Sequence, residues 1–446
     1  MNPSTAQTRI KASKDGLYLM LLGAAVFLLL GFALEKAAPV STADFRLMYY
    51  SARCLLSRHD PYQESELQKT YQDQGGETAQ DTPMTRKTET QYIYLPTAFS
   101  VTVPFALLPF GLAQIVWLLA TAGCMILAAF LIWEVSAQDA PVLSGALLGL
   151  TLANCELFLA IAGPGGITIG LCVAAAWCFL RERLVLCGAI GLAISLMLKP
   201  HDAALVWLYF FLAGGVYRKR ALQTVLALGI LSLPAIAWTS YVAPAWVREF
   251  LSNLAANSAH GSLSDPGVSS AAGHGIAMII SLQTVFSFFY DNPTFYNWAS
   301  YSVCGVLLVV WVIKVIRTPV SAQAAWLALA PVAALTMLPV YHRLDDAKIL
   351  FLVIPACALL WKRKRILGRS AVIITTAQIL LTCAIPWAIF FAIIKRLPSP
   401  SSNLGRQILV ALQVMPAPLI LFAVSIVYLW IYVRSPGKIE GGPGIR

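Results

Sequence analysis

The sequence has few charged residues. Asp, Glu, Lys and Arg make up only 12% of its 446 residues, whereas 58% are hydrophobic and the mean hydropathy is +0.72. A soluble domain has roughly 25% charged residues, about twice this share. The composition therefore excludes a soluble globular protein and a disordered chain. It predicts an all-α, polytopic transmembrane helical bundle.

Acidic residues are scarcer than basic ones, with 21 Asp and Glu against 32 Lys and Arg, for a net charge of +11. The basic residues gather in short clusters beside apolar runs, at 181–183, 218–220, 314–317, 362–369 and 434–438. Such clusters are typical of the cytoplasmic ends of membrane spans, not of a nucleic-acid-binding face. We expect no nucleic-acid partner, a plasma-membrane location, a cytoplasmic N-terminus over 1–16 and a cytoplasmic tail over 434–446.

Several motifs of known chemistry are absent. The nine cysteines form no CxxC pair and no Cys/His spacing that suits a metal. The sequence has no glycine-rich phosphate loop, no GxSxG elbow and no HExxH helix. These absences argue against a disulfide scaffold and against the common hydrolases. We expect no metal ion and no cofactor.

The apolar runs, from 17–34 to 407–433, predict about 11 to 13 crossings within one integral membrane domain that spans residues 1–446. At two places the apolar runs do not fit a regular alternation of the chain between the cytoplasmic and non-cytoplasmic sides of the membrane. If Lys314 is cytoplasmic, one of the runs at 274–290 and 299–316 cannot be a full crossing, and we expect the first to be re-entrant or interfacial. The sequence Gly163-Pro164-Gly165-Gly166 predicts a broken helix, which indicates a buried site because irregular backbone at membrane depth needs protein or a water-filled cavity around it.

Three segments are predicted on the non-cytoplasmic side, at 35–93, 242–273 and 341–348. The first is the largest and the most charged. In its first part, apolar residues recur at helical spacing from Phe45 to Leu55, which predicts an amphipathic helix on the membrane surface.

Asp44, near the start of that helix, has two compatible interpretations. It can belong to a capping box in which Ser41 caps the helix and the carboxylate faces the positive helix end. It can also be a general base at the membrane interface, because partial desolvation raises the pKa of a carboxyl group toward neutral pH.

Other polar groups interrupt apolar runs. Lys199-Pro200-His201-Asp202 is predicted at the outer tip of a helical hairpin, where ionisable groups are functional or simply hydrated. The turn at 341–346 is a second outer tip, and local pairing of Arg with Asp would explain it equally well. Glu156 lies within a predicted span and needs a partner there.

Short motifs, taken in order, resemble glycosyltransferase family 87. They are Asp44 with the helix that leads to Asp60-Pro61-Tyr62, then Tyr94-Leu95-Pro96, Pro104, Leu107-Leu108-Pro109-Phe110 and Leu198-Lys199-Pro200. Their order and spacing over residues 17–395 carry the resemblance. Members of this family are GT-C fold membrane enzymes, and the best-studied use polyprenyl-phosphate mannose. One departure is that residues 163–166 read Gly-Pro-Gly-Gly where many members have Gly-Gln followed by Asn, so the substrate contacts of that stretch differ.

The resemblance implies an inverting hexosyltransferase, a mannosyltransferase at family level, with its active site on the non-cytoplasmic side. It would move a sugar from a polyprenyl-phosphate donor to a lipid or envelope glycan acceptor. Asp44 matches the catalytic carboxylate, and Lys199, His342 and Arg343 are expected at the donor phosphate. The candidates for headgroup or acceptor contacts are Arg46, Arg53, Tyr94 and His201.

A transporter or flippase is the main alternative, and a non-catalytic scaffold is a third. Transporters often have two halves with matching interruptions, and no convincing internal repeat is found in this sequence. An acidic residue buried at the midplane of a through-path would favour transport. Asp44 beside a cationic outer cavity would favour an enzyme.

Overall fold

A computed structural model describes residues 3–37, 42–74, 91–262, 264–268, 279–363, 365–394, 396 and 402–435. Over these ranges the chain is helical, apart from loops and one isolated β-bridge between Ile279 and Arg343. The predicted all-α, polytopic helical bundle is confirmed.

The first helices are α1 (Pro3–Ala37), α2 (Ala43–Leu56), α3 (Glu64–Asp73), α4 (Phe99–Ala106), α5 (Phe110–Ser136), α6 (Pro141–Ala153), α7 (Glu156–Ala160), α8 (Gly165–Arg181), α9 (Val185–Leu198) and α10 (Pro200–Ala213). They are followed by α11 (Gly215–Val242), α12 (Trp246–Asn257), α13 (Leu282–Phe289), α14 (Pro293–Arg317), α15 (Ala322–Leu335), α16 (Ile354–Arg363), α17 (Arg365–Leu381), α18 (Ala384–Ile394), α19 (Asn403–Val414) and α20 (Pro416–Arg434). Short 3₁₀ helices cover Pro96–Ala98 and Asp346–Val353.

Among the described residues, six helical segments are long and apolar enough to cross a membrane alone: Ile10–Ala37 of α1, α5, Pro141–Ala160, α11, α14 and α20. Helices α17 and α18, bent by 57°, make a seventh if they form one span. Four shorter apolar helices are α8, α9, α15 and part of α19. The 11 to 13 crossings expected from the sequence stay a prediction.

Two of the short helices form the centre of the bundle. In α8, 14 of 17 residues are buried, and α15 is buried continuously from Ala325 to Leu335. The long helices α11 and α14 lie at the periphery and expose apolar side chains such as Leu226 and Val306. Protein therefore surrounds the short helices, while the long ones present the apolar surface that suits lipid.

Helices α1 and α6 pack through glycine. Gly16 and Gly23 of α1 face Gly145 and Gly149 of α6, and a Cβ atom on any of the four would clash with backbone atoms of the other helix. Small residues at such contacts let two membrane helices approach backbone to backbone. We call these four residues the glycine seam.

The predicted breaks are present. Helix α7 ends at Ala160 and α8 begins at Gly165, which confirms the broken helix at 163–166. Helix α13 has eight residues, so it is about 12 Å long and cannot cross a bilayer. The prediction that 274–290 is not a full crossing is confirmed over residues 279–290; residues 274–278 lie outside the described part of the chain.

The amphipathic helix of the first outer segment is present as α2, but the expectation that it lies on the membrane surface is wrong. Nine of its 14 residues are buried. Phe45 packs against Phe105, Phe110 and Trp117, with ring centroids 5.1 to 6.4 Å apart. Its apolar face is therefore covered by protein instead of lipid.

Candidate active site

Four segments that are distant in the sequence meet at one place. They are the start of α2, the turn at 161–164, the hinge at Lys199 between α9 and α10, and the turn at 340–346. The charge on Asp44 interacts with those on Arg343, Lys199 and Asp346. The structure thus brings together the predicted base and two of the three groups predicted at the donor phosphate.

The first two segments are tied to each other by backbone contacts. The Thr42 N–H donates to Ala160 O over 2.9 Å, which anchors the start of α2 at the end of α7. Ala162 adopts a left-handed conformation with φ 56°, which is uncommon for a residue with a Cβ. The Trp117 indole holds it there by donating to Ala162 O over 2.8 Å.

Hydrogen bonds also fix the other two segments. Thr336 Oγ1 donates to His201 O over 2.7 Å, beside the Lys199 hinge. The Ile280 N–H donates to His342 O over 3.0 Å and so holds the turn at 340–346. The site is therefore built on braced backbone although it lies at helix ends.

Asp44 is the second residue of α2, and its carboxylate lies against Gly163. A Cβ at position 163 would come within 2.7 Å of Asp44 Oδ2. Thr42, at the helix start, makes no capping hydrogen bond with its side chain, and Ser41 of the predicted capping box lies outside the described residues. Burial raises the pKa of the Asp44 carboxyl group, although the charges of Arg343 and Lys199 oppose that rise.

Lys199 is paired with two carboxylates. Its Nζ contacts Asp346 Oδ1 and lies 3.6 Å from Asp202 Oδ2, and only 15% of its side chain is exposed. Burial alone would lower the pKa of Lys199, but Asp202, Asp346 and Asp345 raise it well above its usual value. Lys199 is therefore a permanent cation that is already compensated.

His342 is fully buried, and both of its ring nitrogens have partners. Nε2 lies 3.0 Å from Asp202 Oδ1, and Nδ1 lies 3.1 Å from Val340 O. Burial would lower the pKa of His342, but the hydrogen bond to Asp202 and the charges of Asp202 and Asp346 raise it. In this arrangement its ring nitrogens face protein atoms, not the position of an incoming phosphate.

Arg343 faces Asp44. Its Nε donates to Tyr341 Oη, and its backbone N–H donates to Asp346 Oδ2 over 3.2 Å. Asp44 and Asp345 both raise the pKa of its guanidinium, the hydrogen-bonded Tyr341 having the largest effect. Arg343 is therefore a fixed positive charge directed at the predicted base.

Sequence reasoning did not include Asp202, Asp345 and Asp346 among the site residues. Asp345 and Asp346 lie at the broken helix, beside Gly165. A Cβ atom at position 165 would lie 3.4 Å from Asp346 Oδ1 and 3.7 Å from Asp345 Oδ2. Burial and then Asp346 raise the pKa of Asp345 to about 6. The available signal was the Asp345-Asp346 pair, which is separated from His342-Arg343 by one residue, Leu344.

Residues 92–341 match the sequence model of glycosyltransferase family 87 over more than half of the chain. The chain belongs to this family. No curated protein and no solved structure matches it. It is therefore a membrane glycosyltransferase. The matched region contains the Lys199 hinge, His342 directly follows its end, and Asp44 lies 48 residues before its start.

The remaining predicted residues of this glycosyltransferase fall into two groups. Tyr94 and His201 lie at the site: the charge of Asp44 acts on the Tyr94 hydroxyl, and the His201 ring centroid is 4.8 Å from that of His342. Arg46 and Arg53 instead link α2 to its neighbours. Arg46 Nη1 donates to Tyr71 Oη over 3.5 Å, and Arg53 donates to Gln74 Oε1 and Ala106 O, both over 3.1 Å.

Proposed function

We propose that this glycosyltransferase moves a hexose, mannose in the first instance, from a polyprenyl-phosphate sugar to a lipid or envelope glycan acceptor. We further propose that it is a GT-C enzyme of the plasma membrane. The observation that carries the proposal is the Asp44 carboxylate, partly exposed, with the charges of Arg343 and Lys199 acting on it. A general base next to cations is what transfer from a sugar phosphate needs.

The proposed reaction is a single displacement. The acceptor hydroxyl gives its proton to Asp44 while its oxygen bonds to the anomeric carbon. The bond from that carbon to the phosphate oxygen breaks, and polyprenyl phosphate leaves with the electron pair. Attack opposite the phosphate inverts the anomeric configuration. The raised pKa of Asp44 suits this role, because a stronger base accepts the proton more readily.

Arg343 is our first candidate for the phosphate contact. Lys199 already lies between two carboxylates, and the ring nitrogens of His342 already have partners. Within the part of the chain that the structure describes, the Arg343 guanidinium makes one side-chain hydrogen bond, from Nε to Tyr341. Its two Nη groups match the fork geometry with which guanidinium groups bind phosphate.

We propose that the site faces the non-cytoplasmic side. Helix α8 starts at the site and ends at Arg181; its 17 residues span about 25 Å. Helix α10 also starts at the site, and the exposed Arg218 and Lys219 follow its other end. Basic residues at the far ends of both helices support a cytoplasmic location for those ends and an outer location for the site.

The test is sugar transfer by the purified protein in nanodiscs, with radiolabelled polyprenyl-phosphate hexoses and total membrane lipid as acceptor. Asp44→Asn keeps the side-chain shape but removes the base, so we expect transfer to fall at least 100-fold. The matched control is Asp73→Asn, an exposed carboxylate of the same outer segment, which should retain full activity. Full activity in Asp44→Asn would refute the assigned base. Absence of transfer by the unaltered protein from every donor would refute the substrate class.

A further inference from the structure

The side chains of His201, Asp202 and His342 bring three metal-binding atoms together. One possible ligand atom from each of the three residues lies within 4.8 Å of the other two. We propose that this cluster binds a divalent transition-metal ion, with zinc the best fit. The site is separate from the Asp44 carboxylate, and its existence does not depend on the proposed transfer reaction.

The distances suit a metal of this size. Asp202 Oδ1 lies 3.0 Å from His342 Nε2 and 3.7 Å from His201 Nε2. Ligand atoms bound at about 2.0 to 2.1 Å in a tetrahedral zinc site are roughly 3.3 Å apart, and the two observed distances lie on either side of that value. The longer of the two distances is the one to His201, whose side chain is 42% exposed.

The buried histidine is oriented as a metal ligand. His342 Nδ1 lies 3.1 Å from Val340 O, so this nitrogen carries the proton and donates it to the carbonyl. Nε2 lies 3.0 Å from Asp202 Oδ1, to which the protonated ring donates. A metal ion would take the place of that proton between the two atoms, and a backbone carbonyl on the opposite nitrogen is the usual support for a metal-bound histidine.

Asp202 is also suited to the role. It is 1% exposed, and its Oδ2 has no hydrogen-bond partner among the described residues; the nearest cation is Lys199 Nζ, 3.6 Å away. Lys199 is therefore on the Oδ2 side of the carboxylate, which leaves Oδ1 to the histidines. One oxygen and two imidazole nitrogens form a ligand set that zinc accepts, with a fourth position open to water or an anion.

The charges around the cluster favour an additional cation. Two permanent cations, Lys199 and Arg343, lie among four aspartates, namely Asp44, Asp202, Asp345 and Asp346. A divalent ion would offset this excess of carboxylates. The ion would also tie the start of α10 to the turn at 340–346, two segments that the contact between Asp202 and His342 already joins.

The experiment measures metal, not sugar transfer, so its failure is distinct from failure of the proposed function. Tag-free protein in detergent is treated with chelator, desalted, incubated with Zn²⁺, desalted again and subjected to elemental analysis. We expect one zinc per chain. We also expect Co²⁺ to give the visible absorption of a tetrahedral nitrogen and oxygen site.

His201→Ala is the decisive variant, because the exposed side chain can be removed without opening the core. We expect it to lower zinc affinity at least tenfold while the protein elutes as before. The matched control is His59→Ala, which removes an exposed histidine of the first outer segment and should leave the zinc content unchanged. Asp202→Asn should also lose the metal. An unaltered protein without zinc, or zinc retained in His201→Ala, would overturn the proposal.

Discussion

Gly163→Ala should displace the Asp44 carboxylate and leave the fold intact. The new Cβ would lie 2.7 Å from Asp44 Oδ2, whereas an ordinary contact begins at 3.4 Å, so one of the two must move by about 0.7 Å. Gly163 has no positive φ, and alanine therefore fits its backbone. The atom in the way is the end of a short side chain, so we expect the carboxylate to be the part that moves.

The size of the effect follows from that displacement. A misplacement of about 1 Å at a reacting group can lower a rate about 100-fold. For about 0.7 Å we expect kcat/KM to fall roughly 10- to 50-fold, which corresponds to about 1.4 to 2.3 kcal/mol of transition-state stabilisation. The assay is the kcat/KM for sugar transfer in nanodiscs, with the melting temperature of each variant measured alongside.

The matched control is Gly123→Ala, at a position where a Cβ meets no atom within 4 Å. It should keep its activity within twofold. Because Gly163 acts through Asp44, Gly163→Ala should cause little further loss when Asp44 is already Asn. Normal activity and an unchanged melting temperature in Gly163→Ala would show that the carboxylate does not lie where we place it, or that it is not the base.

Two further predictions concern charge. Lys199→Ala would leave two buried carboxylates without their cation and should destabilise the protein by about 3 kcal/mol. Thermal unfolding measures this loss, and the control Lys219→Ala, at an exposed position, should keep the melting temperature of the unaltered protein. Equal melting temperatures for the two variants would show that the Lys199 pairs contribute nothing to stability. Asp44 must be ionised to accept a proton and its pKa is raised, so kcat/KM should be lost as the pH falls through a value above 3.8, the usual pKa of Asp. Asp345→Asn removes a neighbouring negative charge and should move this acid limb to lower pH, and a limb that stays in place would contradict the assignment.

Local signals in the sequence predicted the framework of the site well. Glycine and proline at 163–166 and at Lys199-Pro200 interrupt apolar runs, and the helices end there because these residues break helices. Ionisable groups that interrupt apolar runs are costly to bury, which is why Lys199 could be selected before its position was known. The selection of Asp44 and Arg343 rested on their predicted outer segments and on the resemblance to the family. The structure then shows that these groups meet.

The partners of these residues could not be predicted in the same way. An amphipathic pattern shows that one face of α2 is apolar, but lipid and protein satisfy it equally, so the cover that Phe110 and Trp117 provide was not foreseeable. The pairing of Lys199 with Asp346 joins residues 147 positions apart. Within the turn itself, Arg343 and the two aspartates that follow Leu344 were equally consistent with local pairing, and no sequence pattern indicated that those carboxylates lie near Gly165.

The glycine seam sets the depth of the active site. With no side chains between their backbones at these contacts, α1 and α6 cannot slide along each other without a clash. The two helices therefore hold a fixed position relative to each other along their axes. The hydrogen bond from the Thr42 N–H to Ala160 O joins the start of α2 to α7, which directly follows α6. The Asp44 carboxylate is therefore held at one height relative to the lipid, and a substrate has to bring its reacting carbon to that height.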